Sequence, residues 1–185
     1  DWLIAENTIV ACGEAGCDPH NRGTGPLRPG QAIILDIFPR DSESRYHADI
    51  TRTVVKGRAP EALRRMYDAV LAGQECAFHL IREGADGESV HREVQQALEA
   101  HGFKTGEVNG RMQGFFHGTG HGLGLDIHEL PRVSKTKATL CAGNVVTVEP
   151  GLYYPGVGGV RIEDVVVVTE TGCRNLTQYP KELEV

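Results

Sequence analysis

The chain has 185 residues, 40% of them hydrophobic, and a formal net charge of −6, enough for one core or for two subdomains that share it. The acidic balance, with no Lys/Arg run, excludes the basic stripe of a nucleic-acid surface, and no apolar run approaches the ~20 residues of a membrane span. Five scattered cysteines, Cys12, Cys17, Cys76, Cys141 and Cys173, without a CxxC pair, suit free thiols in a reducing cytoplasm better than a disulfide framework or a zinc ribbon.

In chain order, Thr8–Ala11 is the first strand candidate. A turn-rich passage to Gly30 follows, with His20 in its middle. Gln31–Phe38 has the apolar, β-branched character of a buried strand, interrupted by Asp36. A carboxylate there costs several kcal/mol unless it is paired or bound to a cation. After a polar loop, Ala48–Val55 alternates as a strand and carries Asp49. Paired antiparallel, the two strands bring Asp36 and Asp49 to one face, where they repel unless something positive lies between.

Pro60 opens a predicted helix that runs to about Arg82, with Leu63, Met66, Tyr67, Val70, Leu71, Phe78 and Ile81 at three- and four-residue steps. A Gly84–Gly87 turn leads to a second helix over Ser89–Ala100, stopped by Gly102. Neither carries an obvious site. Met66, Tyr67 and Phe78 belong to packing, and His79, His91 and His101 are ordinary surface or core histidines.

The stretch Phe116–Pro131 is different. It holds His117, His121 and His128 threaded with Gly118, Gly120, Gly122 and Gly124. Each glycine costs roughly 1 kcal/mol against Ala inside a helix, so this is an extended, turned segment. The helical zinc-protease motif, which needs a Glu between its two histidines, is excluded. Imidazoles in such a segment can bind metal or move protons.

Past it, Val145–Glu149 is a strand ending at Pro150-Gly151, and Val160–Val168 is a last strand with Glu163 and Asp164 near its start. The two acid pairs, Asp36/Asp49 and Glu149/Glu163, have nearly the same spacing, which points to an internal duplication of a carboxylate-bearing hairpin with the helix pair between the copies. By that symmetry helices should also precede Asp36, so the expectation is a fragment truncated at its N-terminus.

Four carboxylates, Asp36, Asp49, Glu149 and Glu163, gathered at one cleft with His121 would raise one another's pKa values. Two divalent cations cancel their charge. Carboxylates bridging two metal ions are the layout of a two-metal hydrolase, in which a bridging water serves as hydroxide. Oxygen-rich ligation with one imidazole suits Mn²⁺, Co²⁺, Fe²⁺ or Zn²⁺, and the ligand list alone does not choose among them; Mn²⁺ is the working expectation. His20, His117 and His128 would then surround the substrate.

The runs His117–Pro131, Ala48–Thr53, Thr147–Gly151 and Gly159–Asp164 together strongly resemble the M24 metallopeptidases of pita-bread fold, across essentially the whole chain. The resemblance implies an α+β fold with a curved, mostly antiparallel sheet and helices on its outer face, residues 1–185 forming one catalytic domain. It implies metal ligation by Asp36, Asp49, His121, Glu149 and Glu163, with Asp49 and Glu163 bridging. It also implies substrate-side histidines at His20 and His128, and proton shuttling by Glu149.

Within the family, His117, four residues before His121, and Arg161, two before Glu163, resemble the Xaa-Pro aminopeptidase and prolidase pattern. They are the expected substrate-binding groups for a peptide with proline at its second position. Methionine aminopeptidases usually lack both and form the alternative; a non-catalytic pita-bread module that binds peptide or protein is a third reading, which the unsubstituted ligands oppose. The loop between Asp36 and Asp49 is longer than the family's usual one. Without a first helix pair the sheet would expose apolar surface, so a homo-oligomer is expected and the fragment alone is expected to be weakly active or inactive.

Overall fold

A computed structural model of the chain describes residues 2–3 and 7–185. The first half contains β1 (Trp2–Leu3), β2 (Ile9–Cys12), a 3₁₀ turn (Gly13–Cys17), β3 (Ala32–Ile37), β4 (Arg40–Asp41) and β5 (Ile50–Val55). Strands β2, β3 and β5 form one antiparallel sheet in that order, with Asp36 of β3 opposite Ile9 on one side and Thr51 on the other. Because side chains alternate along a strand, Ile9, Ala11, Ile34, Asp36, Thr51 and Thr53 share the inner face. Asp49 lies immediately before β5, two positions from Thr51, and therefore joins them.

Helix α1 (Glu61–Leu80) has Pro60 at its N-cap and buries Leu63, Met66, Tyr67, Val70 and Ala77. Helix α2 (Gly87–Ala100) starts two residues before the expected Ser89, because the Asp86 side chain accepts a hydrogen bond from the Glu88 amide and caps it. It buries Val90, Val94 and Leu98. Phe78 packs against the same core at its margin. No helix among the described residues is long and apolar enough to cross a membrane.

A hairpin that the hydrophobic pattern did not signal, β6 (Gly106–Val108) and β7 (Arg111–Gln113), turns through Asn109-Gly110, both in the left-handed region at φ 52° and 75°. The second half then supplies β8 (Gly120–Gly122), β9 (Glu129–Val133), β10 (Val145–Val148), β11 (Gly151–Tyr154), β12 (Gly158–Arg161), β13 (Asp164–Val168) and β14 (Cys173–Asn175). Five of these form a sheet in the order β14-β13-β10-β8-β9, while β11 pairs with β12. Alternation along β10 sends Val146 and Val148 into the core with Leu152, Val160, Ile162, Val166 and the stripe of α1. Thr147 and Glu149 face the other way.

The single strand expected over Val160–Val168 is two. Pairing with β11 ends at Arg161, pairing with β10 begins at Asp164, and between them the Glu163 amide donates to Thr51 O at 3.0 Å. The chain changes partner there because Glu163 bonds to the first hairpin. The duplicated layout is visible in the pairing: β3 with β5, and β10 with β13, are both adjacent antiparallel pairs that place acids at their ends.

Candidate metal centre and active site

His121 is delivered by β8, whose short residues on either side let the sheet close around it. A Cβ at Gly120 would lie 1.9 Å from Thr147 O and one at Gly122 2.4 Å from Leu130 O, so both positions require glycine. The His121 amide bonds to Thr147 Oγ1 at 3.0 Å, and its ring Nδ1 lies 3.0 Å from Gly122 O. That carbonyl can only accept, so Nδ1 is assigned a proton; Nε2 faces the cavity, donating to Glu149 when it too is protonated and offering a lone pair to a cation when it is not. Nε2 stands 3.2 Å from Glu149 Oε1 and 3.8 Å from Asp49 Oδ2.

The four carboxylates meet this imidazole around one cavity of about 680 Å³, lined by Asp36, Asp49, His121, Glu149 and Glu163 and also by His20, His117, His128 and Arg161. Asp49, His121 and Glu163, all buried, offer ligand atoms within 4.8 Å of one another. Glu163 Oε2 accepts from Thr51 Oγ1 at 2.7 Å and Asp36 Oδ2 from Arg161 Nη2 at 2.7 Å. Their second oxygens, Asp36 Oδ1 and Glu163 Oε1, are buried without a hydrogen-bond partner among the described residues.

The electrostatics follow from this crowding. Burial, then the charges of Asp36 and Glu149, push Asp49 up to about 8. Burial and the neighbouring carboxylates hold Glu163 well above the usual carboxylate range, and burial raises Asp36 despite its arginine. Burial works against Glu149 too, but the hydrogen bond and charge of His121 overcome it and bring it down to about 2. His121 is raised: burial opposes its cation, and Glu149 more than compensates. Two orphaned buried oxygens and a set of mutually repelling acids are what a divalent cation resolves. The donor set of carboxylate oxygens and one imidazole fits such ions.

The residues expected around a substrate divide into two kinds. His20 and His128 are exposed on the cavity wall, the His128 ring 4.3 Å from that of His121 and edge-on to it. His117 and Arg161 have their polar atoms engaged within the protein. Arg161 is 3% exposed, and its Nη1 donates to Tyr153 Oη at 2.9 Å. That hydroxyl lies 2.8 Å from His117 Nε2, and His117 Nδ1 lies 2.8 Å from Gly118 O. Arg161 donates to the phenol, the phenol to the imidazole, and the imidazole to the carbonyl. Burial keeps His117 neutral, its pKa down at about 4, and pushes the Tyr153 phenol up to about 12.

Thr51, Thr147 and Tyr153 escaped the sequence reading. Thr51 and Thr147 each sit two positions from an acid on a strand, a spacing that could have marked them. Tyr153 carried no such signal. Arg132 lines the cavity as well, exposed and with no hydrogen-bond or ion-pair partner among the described residues. The five cysteines are free thiols.

Two carboxylate hairpins closing on one histidine at a shared cavity define a protein of the metallopeptidase class. The model of metallopeptidase family M24 matches residues 3–170. The Xaa-Pro dipeptidase of Pyrococcus furiosus is 36% identical over 181 residues, 97% of this chain and 49% of that one. The crystal structure of an X-Pro aminopeptidase from Thermotoga maritima superposes with a TM-score of 0.88 at 33% identity, covering 98% of this chain and 50% of that one. The prolidase from Pyrococcus furiosus does so with a TM-score of 0.86 at 34% identity over 96% and 50%. The chain belongs to metallopeptidase family M24, its α+β fold is the pita-bread fold, and it spans about half the length of the relatives it matches.

Proposed function

We propose that residues 1–185 form the catalytic domain of a dinuclear metal-dependent exopeptidase that hydrolyses the Xaa-Pro peptide bond. The observation that carries this reading is the convergence of Asp36, Asp49, Glu149, Glu163 and His121 on one cavity with two buried carboxylate oxygens left without partners. The names of the relatives, Xaa-Pro dipeptidase and X-Pro aminopeptidase, supply the bond.

Asp36, Asp49, His121, Glu149 and Glu163 would hold the ions. Bound there, divalent ions polarise a carbonyl and acidify water near neutral pH. The protein's own groups do the rest. His20 and His128 donate hydrogen bonds to the carbonyl oxygen as it gains charge. Glu149 accepts a proton from the attacking water and delivers it to the prolyl nitrogen, which has no N–H of its own and must gain a proton as the C–N bond breaks. His117 and Arg161, held rigid by Tyr153, form the wall against the prolyl side of the substrate.

The Arg132 guanidinium stands free on the cavity wall and fits a terminal carboxylate. This favours a short peptide whose proline ends the chain. The test is direct. The chain loaded with Mn²⁺ is assayed on Ala-Pro, Ala-Pro-Ala and Met-Ala-Ser, with bound metal counted. About two ions per chain are expected, with cleavage before proline, weak in a chain that spans about half the length of its relatives. Cleavage of Met-Ala-Ser alone would make it a methionine aminopeptidase, and a folded chain that neither binds nor responds to Mn²⁺ would make it a binding module.

A further inference from the structure

On the face of β5 opposite Thr51 lies a second charged group that the reaction does not use. Arg52 has a side chain only 6% exposed. Its Nε donates to Pro180 O at 3.0 Å, its Nη1 to Thr51 O at 2.9 Å and Glu163 O at 2.6 Å, and its Nη2 to Asp164 Oδ1 at 2.8 Å and Tyr179 O at 2.9 Å. A guanidinium has five N–H bonds, and all are used. Asp164, fully buried, is held also by Lys181 Nζ at 2.6 Å and Asn175 Nδ2 at 2.8 Å. Lys181 reaches on to Gln74 Oε1 at 2.7 Å.

Gln74, at 1% exposure, completes the frame. Its Nε2 donates to Val148 O at 2.9 Å and to Ile162 O at 3.2 Å. The carbonyls just before Glu149 and just before Glu163, and the carbonyl of Glu163 itself, are thus fixed by one connected set of side chains. Three members of that set, Tyr179, Pro180 and Lys181, belong to the C-terminal segment, which is pinned again where Val55 N donates to Leu183 O at 2.6 Å and Val185 N to Val55 O at 3.0 Å. The cations Arg52 and Lys181 facing the single Asp164 leave one positive charge over beside the acid cluster.

We propose that Arg52 and Gln74 are positioning residues for cation binding, and that residues 179–181 latch them. The network sets the spacing of the two backbones that carry Glu149 and Glu163. The inference rests on the reading given under Proposed function. Removing an outer partner of a metal ligand weakens metal binding by about 10–100-fold, and a lysine at position 52 keeps the charge without a fork able to span Glu163 O, Asp164 and the C-terminal carbonyls.

The experiment titrates Mn²⁺ calorimetrically into the 185-residue chain and into Arg52→Lys and Lys181→Met, each also melted in EDTA. Arg92→Lys, at a surface pair with Glu93 on α2 outside the network, is the control. Arg52→Lys and Lys181→Met should each weaken Mn²⁺ binding about 10–100-fold, with the control unchanged. Should Arg52→Lys fail to fold, Lys181→Met, whose amine is partly exposed, decides. A folded variant that melts lower but binds Mn²⁺ like the parent overturns the inference alone, because the network is then only structural. A parent that binds no Mn²⁺ overturns the functional reading and this inference with it.

Discussion

The Thr51 hydroxyl donates a 2.7 Å hydrogen bond to Glu163 Oε2 across 112 residues of chain, tying the first carboxylate hairpin to the second. It fixes one oxygen of Glu163 and leaves Oε1 buried with no protein partner. In the proposed metal centre, a residue poised in this way between two hairpins acts through its charge more than through its shape. Glu163→Gln should therefore lower hydrolysis about 10³-fold and release metal from the Mn²⁺-loaded chain, read by kinetics and metal counting. Full activity in that variant would remove Glu163 from the metal shell.

Charge without metal should destabilise the fold. Asp49 sits at about 8 in the folded chain against about 4 unfolded. Below about pH 4 it is protonated in both states; as pH rises through about 8 the folded state must carry a buried charge, so stability present in acid is lost across that window. The loss should amount to a few kcal/mol between pH 5 and 8 in urea melts with EDTA, and Mn²⁺ should restore it. Glu149, depressed to about 2, works in the opposite sense, but its stability is lost only below about pH 4 and does not offset the first. Asp49→Asn should make the profile shallower, leaving the part that the raised Glu163 and Asp36 contribute in the same sense; a flat profile in the parent would falsify this electrostatic account.

The spacing of the acids made the site legible. Asp36 stands in an apolar strand, where a carboxylate is conspicuous, and the glycines around His121 marked an extended, turned segment; that Gly120 lies against Thr147 O, where a Cβ would come within 1.9 Å, shows only in the fold. Helices α1 and α2 followed from their apolar periodicity. What stayed hidden was what depends on partners far along the chain. Ile162 and Glu163 look like the middle of a strand, and only Thr51 explains why pairing breaks there. Nothing local to Arg161 shows that Asp36, Tyr153 and Thr51 take its donors.

Arg161 is the counter-charge that lets Asp36 stay inside. Its guanidinium and the carboxylate, 2.7 Å apart, are both largely withdrawn from water. Removing one partner of such a pair leaves the other buried and uncompensated, at about 3–5 kcal/mol. Arg161→Met should lower stability by that amount in EDTA, and adding Asp36→Asn should recover much of it. If the double variant is no more stable than the single one, the pair is not the source of the loss.

His128 should separate turnover from metal binding. Its ring packs edge-on to that of His121 but lies on the exposed wall, and burial beside His121 keeps it less basic than usual. His128→Ala should reduce kcat about 10²-fold, in line with the loss of one donor to a developing oxyanion, at unchanged metal content. Parallel loss of metal would instead make His128 a ligand.

Under the proposed function, Arg132 should set how long a substrate the cavity prefers. It is the cavity arginine that none of the described residues engages, whereas Arg22 bonds to Asn7 and Arg161 to Asp36. A free guanidinium on that wall can grip the terminal carboxylate of a dipeptide but meets only an amide in a longer chain. Charge-assisted hydrogen bonds of this kind contribute about 1.5–3 kcal/mol, which is roughly 10–150-fold in binding. Arg132→Ala should therefore raise KM for Ala-Pro by at least tenfold while leaving Ala-Pro-Ala almost unaffected. Equal effects on both peptides would place Arg132 outside the carboxylate subsite and shift the reading from a dipeptidase to an aminopeptidase.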